Sequence, residues 1–344
     1  MATAKEILNA TPNDPNVVGS RWPHRIGVLL AVTCFPLIWL GGMVTTTDAG
    51  MSVPDWPGTY GYNMFSYPAS TWLFGPFDLM VEHGHRLLAS TAGLIAIGLA
   101  VVSWRFESRR CVVWFSILLL VLVILQGALG GMRVLFDARV LAKVHGCLAQ
   151  AFFAMATAFC VVTSRWWLQV GAAEKPLAGR ATEWMVWIAP LMLVVSFGQL
   201  VVGAFLRHVA IDSSPGFYRN LVVIHVTTAV LIIAGTFCQW LLSRRPGVRG
   251  AGVRGSINVL MLLVGVQFLL GVATWVVKFG WPGFMTGYWF AGSFVVGEKT
   301  YQQINLITAH VAVGSLILAF WTIHWLRCRR SHHLASRRVL GKVT

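Results

Sequence analysis

Long segments without charged side chains constrain the fold of this chain more than any other feature. A helix rises about 1.5 Å per residue, so about 20 apolar residues are needed to cross a bilayer. The stretch 87–104 is shorter, but it extends back through Val81 and takes Glu82 and Arg86 into its first turn. With it, the predicted spans are 26–47, 81–104, 111–132, 144–164, 184–206, 220–243, 255–277 and 300–326. We therefore predict an all-α integral membrane protein with eight transmembrane helices.

The composition excludes a soluble enzyme. Only 11% of the 344 residues are charged and 56% are hydrophobic, whereas soluble domains carry about 25% charged residues. The net charge of +15 does not indicate a nucleic-acid partner, because the cations lie between apolar segments instead of clustering on one polar face. We therefore expect membrane lipid to surround most of the chain. Residues 1–25 are polar and have no apolar core of the signal-peptide type, so we expect this segment to be retained.

Basic residues are distributed unevenly between the two sides of the predicted bundle. Eight spans put both termini on one side, which carries 19 Lys and Arg against eight on the other. The positive-inside rule then predicts cytoplasmic termini in a cell (inner) membrane protein. Segments 49–77 and 279–297 are rich in aromatic residues with Pro or Gly, and we predict them as outer loops. We expect the two loops to cover binding sites, although aromatic residues at the lipid headgroups are an alternative.

An amide and a glycine four residues apart recur near the outer ends of three odd-numbered spans. Glycine lets a neighbouring helix approach closely, and the amide offers it a hydrogen bond. Ordinary helix packing can explain one such phrase, but three at one depth suggest duplication into two pseudo-repeated four-helix halves. The phrases are Gln126–Gly130, Gln199–Gly203 and Gln267–Gly271. The predicted units are a cytoplasmic segment 1–25, an N-terminal half 26–175, a C-terminal half 183–327 and a basic cytoplasmic tail 328–344.

Every even-numbered span carries a histidine in its outer part. An ionisable side chain inside a membrane is costly and indicates function. A single buried histidine is more often a satisfied core residue, but four at matching depth favour a common role. Haem suits two imidazoles on facing helices in an apolar bundle, whereas zinc usually adds carboxylate or thiolate ligands. We predict two haem sites, and the histidines are His85, His145, His225 and His310.

One acidic residue distinguishes the first site from the second. Glu82 lies three residues before His85 and so shares its helix face. No acid occupies the corresponding position in spans four, six or eight. Glu82 can also form an ion pair with Arg86 four residues later, and the two roles are compatible.

These features together resemble the haem A synthase family over nearly the whole chain, from 25 to 326. The E-x-x-H-R motif at 82–86, the V-H-G motif at 144–146 and the loop phrase G-M-S-V-P-D-W-P at 50–57 carry the resemblance, with the two later histidines. The resemblance implies oxidation of the methyl group at ring position 8 of haem O to the formyl group of haem A, through hydroxylated intermediates. Haem A is the cofactor of terminal cytochrome oxidases.

The resemblance also implies a role for each site residue. His225 and His310 match the pair that holds a haem b for electron transfer. His85 and His145 match the substrate site, and with Glu82 beside them they are the catalytic residues. The partners implied are haem O, a haem O synthase, cytochrome oxidase assembly proteins and a second copy of the chain.

The chain departs from the family pattern in its first outer loop. Many members carry a cysteine pair there, where this sequence has Val53 and Thr59. None of its six cysteines falls in an outer loop, so we expect no disulfide.

Two other functions account for part of the pattern. A di-haem membrane electron-transfer protein, of the quinone-linked cytochrome b type, explains four histidines but gives no reason for an acid beside only one pair. A transporter with inverted repeats explains two halves but predicts helices broken at corresponding places. Pro36 and Pro190, the span prolines, do not correspond.

Overall fold

Eight helices among the described residues are long and apolar enough to cross a membrane, which confirms the predicted all-α multi-pass fold. The computed structural model describes residues 20–173, 180–209, 212–245, 248 and 251–340. Residues 1–19 of the predicted N-terminal segment, the join at 174–179 and the last four residues of the tail lie outside this description. The eight long helices are α1 (Trp22–Thr46), α2 (Phe77–Phe106), α3 (Arg110–Leu135), α4 (Arg139–Thr163), α5 (Arg180–Arg207), α6 (Pro215–Ser243), α7 (Ala251–Phe279) and α8 (Tyr301–Leu340), and a short helix, Arg165–Ala173, follows α4.

The helices run past the charge-free windows that predicted them. Helix α2 begins at Phe77, directly after Pro76, and α4 begins at Arg139, five residues before the predicted start. Helix α8 continues to Leu340, through most of the predicted basic tail. Long basic side chains can extend toward water from a helix end, so a charge does not terminate the helix.

The helices pack as two neighbouring groups of four. Helices α1 to α4 contact one another in a closed ring, α1 with α2, α2 with α3, α3 with α4 and α4 with α1. Helices α5 to α8 form a second ring in the same order, and α8 joins the rings by packing against α1 and α4. This packing agrees with a division into two halves, while the repeat itself and its boundaries stay a prediction.

Apolar side chains fill the ring interiors. Leu30, Leu99 and Phe159 are fully buried in the first ring, and Leu260 and Trp321 are fully buried in the second. This core lies toward the side of the bundle where α2 ends and α3 begins. The opposite side, which we call the loop side, holds the connections that follow α1, α3, α5 and α7.

The two aromatic segments are loops, as predicted. The first contains short helical turns at Ala49–Met51, Met64–Ser66 and Ala69–Leu73. The second contains Gly283–Met285 and Trp289–Gly292, both too short to cross a membrane.

Candidate functional site

The structure brings the four predicted histidines together as two facing pairs. The ring centres of His85 in α2 and His145 in α4 lie 6.5 Å apart, with an interplanar angle of 77°. The ring centres of His225 in α6 and His310 in α8 lie 6.3 Å apart, at 57°. Each ring of four helices therefore holds one pair, formed by its two even-numbered helices.

A glycine of the preceding helix lies against each of these imidazoles. A Cβ atom built on the glycine would stand 3.0 to 3.4 Å from Cε1 of the histidine, so a side chain there would crowd the ring. The same contact occurs in all four helix pairs and fixes the depth of each histidine. The contacts are Gly41 with His85, Gly130 with His145, Gly203 with His225, and Gly271 with His310.

The glutamine of the repeated phrase binds the backbone of the histidine it precedes. In three helix pairs its Nε2 donates to the carbonyl oxygen of that histidine, at 2.6 to 3.0 Å. The helix pair α1 and α2 lacks this bond, because Leu37 and not a glutamine stands four residues before Gly41. The bonds are Gln126 to His145, Gln199 to His225, and Gln267 to His310.

The spacing of the pairs suits two imidazoles on opposite sides of one metal ion. A metal–imidazole bond is about 2.0 to 2.1 Å and each ring centre lies roughly 1 Å behind its nitrogen, so the centres would be roughly 6 Å apart. Among the described residues, Nδ1 of His85, His225 and His310 is buried without a hydrogen bond of ordinary geometry. The part of the chain that the structure describes holds no group of three or more His, Cys, Asp or Glu that could bind a metal. Two nitrogen donors in an apolar wall fit axial ligation of haem iron.

Glu82 is buried between α2 and the first loop. Its carboxylate is 2% exposed, and Oε1 accepts a hydrogen bond from Arg86 at 2.8 Å. Oε2 accepts from the backbone N–H of Val53 at 2.9 Å. The predicted ion pair with Arg86 is confirmed. The catalytic role of Glu82 stays a prediction, since both bonds also serve to position the loop.

Arg86 fastens the first loop to α2. Besides Glu82, its guanidinium donates to the carbonyl oxygens of Val53 at 2.7 Å, Asp55 at 2.7 Å and Gly58 at 3.0 Å. A planar guanidinium with five N–H donors can bind several acceptors at once. One side chain therefore fixes the path of the loop across the end of the helix.

His83 faces the loop and points away from His85, as their helical spacing predicts. Its Nδ1 lies 3.1 Å from Oγ1 of Thr59, and its ring contacts Tyr67 and Trp72. Both Val53 and Thr59, the positions predicted to match a cysteine pair, are fully buried. Hydrogen bonds to Glu82 and His83 thus hold the loop at these two positions. The sequence did not predict the contact of His83, because it depends on how the loop folds.

Asp55 organises the tip of the same loop. Its carboxylate accepts hydrogen bonds from the N–H groups of Tyr60 at 2.8 Å and Gly61 at 2.9 Å. Tyr60 and Gly61 have φ of 50° and 80°, which a tight turn between Thr59 and Tyr62 requires. Partial burial alone would raise the pKa of Asp55, but the two N–H donors stabilise the carboxylate and the pKa is lowered.

The first loop also packs against α3 beside the first histidine pair. The indole of Trp56 occupies the space that a side chain on Gly131 would fill. Gly131 adjoins Gly130, the glycine under His145, so the loop lies close to that site. In the second loop, Phe284 and Trp289 are 83% and 88% exposed. Its proposed cover over the second pair stays a prediction.

Basic groups from both rings converge on the loop side. Burial, followed by the positive charges of Arg207, Lys143, Arg133 and Arg139, lowers the pKa of His208 to about 4. Arg207 donates to the carbonyl of Gly42 and to Oγ1 of Thr46, and Lys143 lies over the ring of Phe205. The sequence located these cations on one side but could not place them together.

The fold and the paired histidines define a class of protein, namely multi-pass helical membrane proteins with two intramembrane histidine pairs suited to haem. Residues 24–212 match the COX15-CtaA family, described as cytochrome oxidase assembly protein. This match spans more than half of the chain, and the chain belongs to this family.

Individual relatives carry the name heme A synthase. The protein of Hyphomonas neptunium is 25% identical over 219 residues, which is 56% of this chain and 62% of the relative. That of Shouchella clausii is 25% identical over 54% of this chain and 58% of the relative. The chain thus spans about three fifths of the length of these two relatives. The protein of Rhizorhabdus wittichii is 24% identical over 87% of this chain and 92% of its own length.

Proposed function

We propose that the chain is a haem A synthase that oxidises the methyl group at ring position 8 of haem O to a formyl group, through hydroxylated intermediates. The observation that carries this proposal is the presence of two facing histidine pairs, one in each helix ring, in a chain of the COX15-CtaA family. The similarity to proteins named heme A synthase supports the choice of substrate.

The second pair holds the cofactor in this proposal. His225 and His310 would bind a haem b through its iron, and that haem would supply electron transfer to and from the substrate site. Gln199 and Gln267 fix the backbone carbonyls of these histidines and so keep the two imidazoles facing each other. The apolar wall around them would keep water from the iron ligands.

The first pair holds the substrate. His85 and His145 would bind haem O. Glycines lie against both histidines, so no neighbouring side chain occupies the space of their imidazole rings. The first loop, with Trp56 against α3, would limit the access of water to this site. The carboxylate of Glu82 would accept a proton released as the methyl group is oxidised, or stabilise positive charge that develops on the attacked carbon.

Location and partners follow from the same proposal. The chain would lie in the cell membrane with both termini in the cytoplasm, which puts the loop side outside. A haem O synthase would supply the substrate, and cytochrome oxidase assembly proteins would receive the product. A second copy of the chain is a further candidate partner.

Co-expression with a haem O synthase tests the activity. The haems are extracted from membranes and identified by mass, with His85→Ala as a control that keeps the second pair. We expect haem A from the unmutated chain and haem O from the control. Haem O alone from both the unmutated chain and the control would overturn the proposal. A bis-histidine haem spectrum in the unmutated chain would then favour the di-haem electron-transfer function.

A further inference from the structure

Arg133, in the last turn of α3, is a half-buried arginine on the loop side. Its guanidinium makes neither a hydrogen bond nor an ion pair among the described residues, whereas three other cations of the loop side are engaged. Arg86 is bound by the first loop, Arg207 by α1, and Lys143 lies over an aromatic ring. A charge that is partly shielded from water and has no counter-ion bound to it is unfavourable, so Arg133 is suited to an anionic ligand.

The surroundings of Arg133 place it above the first histidine pair. It lies three residues after Gly130, one turn toward the loop side on the same face of α3. Gly130 itself lies against the imidazole of His145, so Arg133 lies one helical turn beyond the level of that contact. Glu82, whose charge attracts Arg133, is already bound on both carboxylate oxygens.

The first loop makes room for this guanidinium. A Cβ atom on Gly50 would stand 3.0 Å from Nη2 and 3.1 Å from Nη1 of Arg133, so any side chain there would displace the head group. The absence of a side chain at Gly50 therefore lets the head group of Arg133 lie against the loop. Guanidinium binds carboxylate through two parallel hydrogen bonds, which is the geometry that a fork of two nitrogens provides.

We propose that Arg133 binds a carboxylate of the porphyrin held between His85 and His145. This inference rests on the proposed function, because haem O carries two carboxylate side chains and the first pair is its proposed site. Arg133 would set the orientation of the porphyrin about the axis joining the two histidines, and so decide which ring edge reaches Glu82. It is a positioning residue in this role.

Esterified porphyrin separates the contribution of the carboxylate from that of the iron. Protohaem IX and its dimethyl ester are each titrated into purified full-length protein whose second site is already loaded, and binding is followed by absorbance. We expect Arg133→Gln to weaken protohaem binding at the first pair by roughly 10-fold to 100-fold, the range for a hydrogen bond to a charged group. Esterification of the porphyrin should weaken binding to the unmutated protein by a similar factor. The Arg133→Gln variant should bind protohaem and its dimethyl ester with equal affinity.

Two further variants act as controls. Arg133→Lys keeps the charge and should recover part of the affinity, while Arg219→Gln removes an exposed cation of the loop side and should bind protohaem normally. An unchanged spectrum of the second site shows that each variant is folded. Equal protohaem affinity of Arg133→Gln and the unmutated protein, or full discrimination against the ester in the variant, would overturn this inference alone. Failure of the unmutated protein to bind either porphyrin at the first pair would overturn the proposed haem site, and this inference with it.

Discussion

Gly130 in α3 lies directly against the imidazole of His145 in α4, where a Cβ atom would stand 3.1 Å from Cε1. The contact ties the position of a predicted ligand to the absence of a side chain on the neighbouring helix. Gln126, one turn earlier, donates to the carbonyl oxygen of the same histidine at 2.6 Å. The repeated phrase thus holds both the ring and the backbone of the histidine.

Gly130→Val should displace His145 and weaken the first site. Added methyl groups in a well-packed contact cost about 1 to 3 kcal/mol, and here they would press on the imidazole itself. We expect a lower temperature of unfolding and a reduced haem content at the first pair. Gly127→Val is the matched control, since nothing lies within 4 Å of a Cβ at that position. Equal effects of the two substitutions would contradict the proposed contact.

Arg86→Gln should release the first loop. The variant loses most of the donors that hold three loop carbonyls and leaves Glu82 buried without its partner, which typically costs about 3 to 5 kcal/mol. Hydrogen exchange at residues 52–61 should become faster. Arg109→Gln removes another arginine paired with a glutamate, at the opposite side of the bundle, and should leave exchange in the loop unchanged. Slow exchange in Arg86→Gln would show that other contacts suffice to hold the loop.

The loop tip should loosen at low pH because of Asp55. Its pKa is lower in the folded loop than in the unfolded chain, so its stabilising contribution is complete above the unfolded value, about 3.9. The contribution is lost as the pH falls through the lower folded value. Hydrogen exchange at Tyr60 and Gly61 should therefore accelerate relative to other loop amides between about pH 4 and pH 2. Asp55→Asn should remove this excess acceleration, whereas Asp137→Asn should retain it; the same pH dependence in all three proteins would refute the assignment.

Glu82→Gln should separate chemistry from loop positioning. The amide keeps an oxygen for Arg86 but loses the negative charge, and we expect haem A formation to fall roughly 100-fold, as for an acid–base group. Haem O or its hydroxylated intermediate should accumulate while the second site keeps its haem b. Arg86→Gln is the comparison, since it loosens the loop and retains the carboxylate. An equal loss of product in both variants would assign Glu82 a structural role only.

The spans and the histidine pairs were predictable because their signals are local. A charge-free window indicates a buried helix, and histidines at matching depth on alternate helices indicate facing side chains. The predicted start of α4 was less accurate, because Arg139 and Lys143 lie before the charge-free window that predicts this helix. Charged side chains at a membrane boundary can extend to water while the backbone stays helical.

The contacts of the first loop were not predictable, because each joins residues far apart in sequence. Nothing local to His83 indicates that Thr59 will meet its Nδ1, and nothing near Arg133 indicates Gly50. These contacts arise from the path of the loop, which four carbonyl and carboxylate acceptors around Arg86 determine. The ion pair of Glu82 with Arg86 was predicted, since it follows from helical spacing, but the bond from Val53 was not.

The central claim, that the two histidine pairs hold haems with different roles, is tested most directly by the haem content of two double variants. Both are co-expressed with a haem O synthase, purified, and analysed by absorbance and by mass of the extracted haem. His225→Ala with His310→Ala should lose the low-spin bis-histidine spectrum of haem b. His85→Ala with His145→Ala should keep that spectrum and form no haem A. A bis-histidine spectrum that survives the first substitution pair, or haem A formed after the second, would contradict the account.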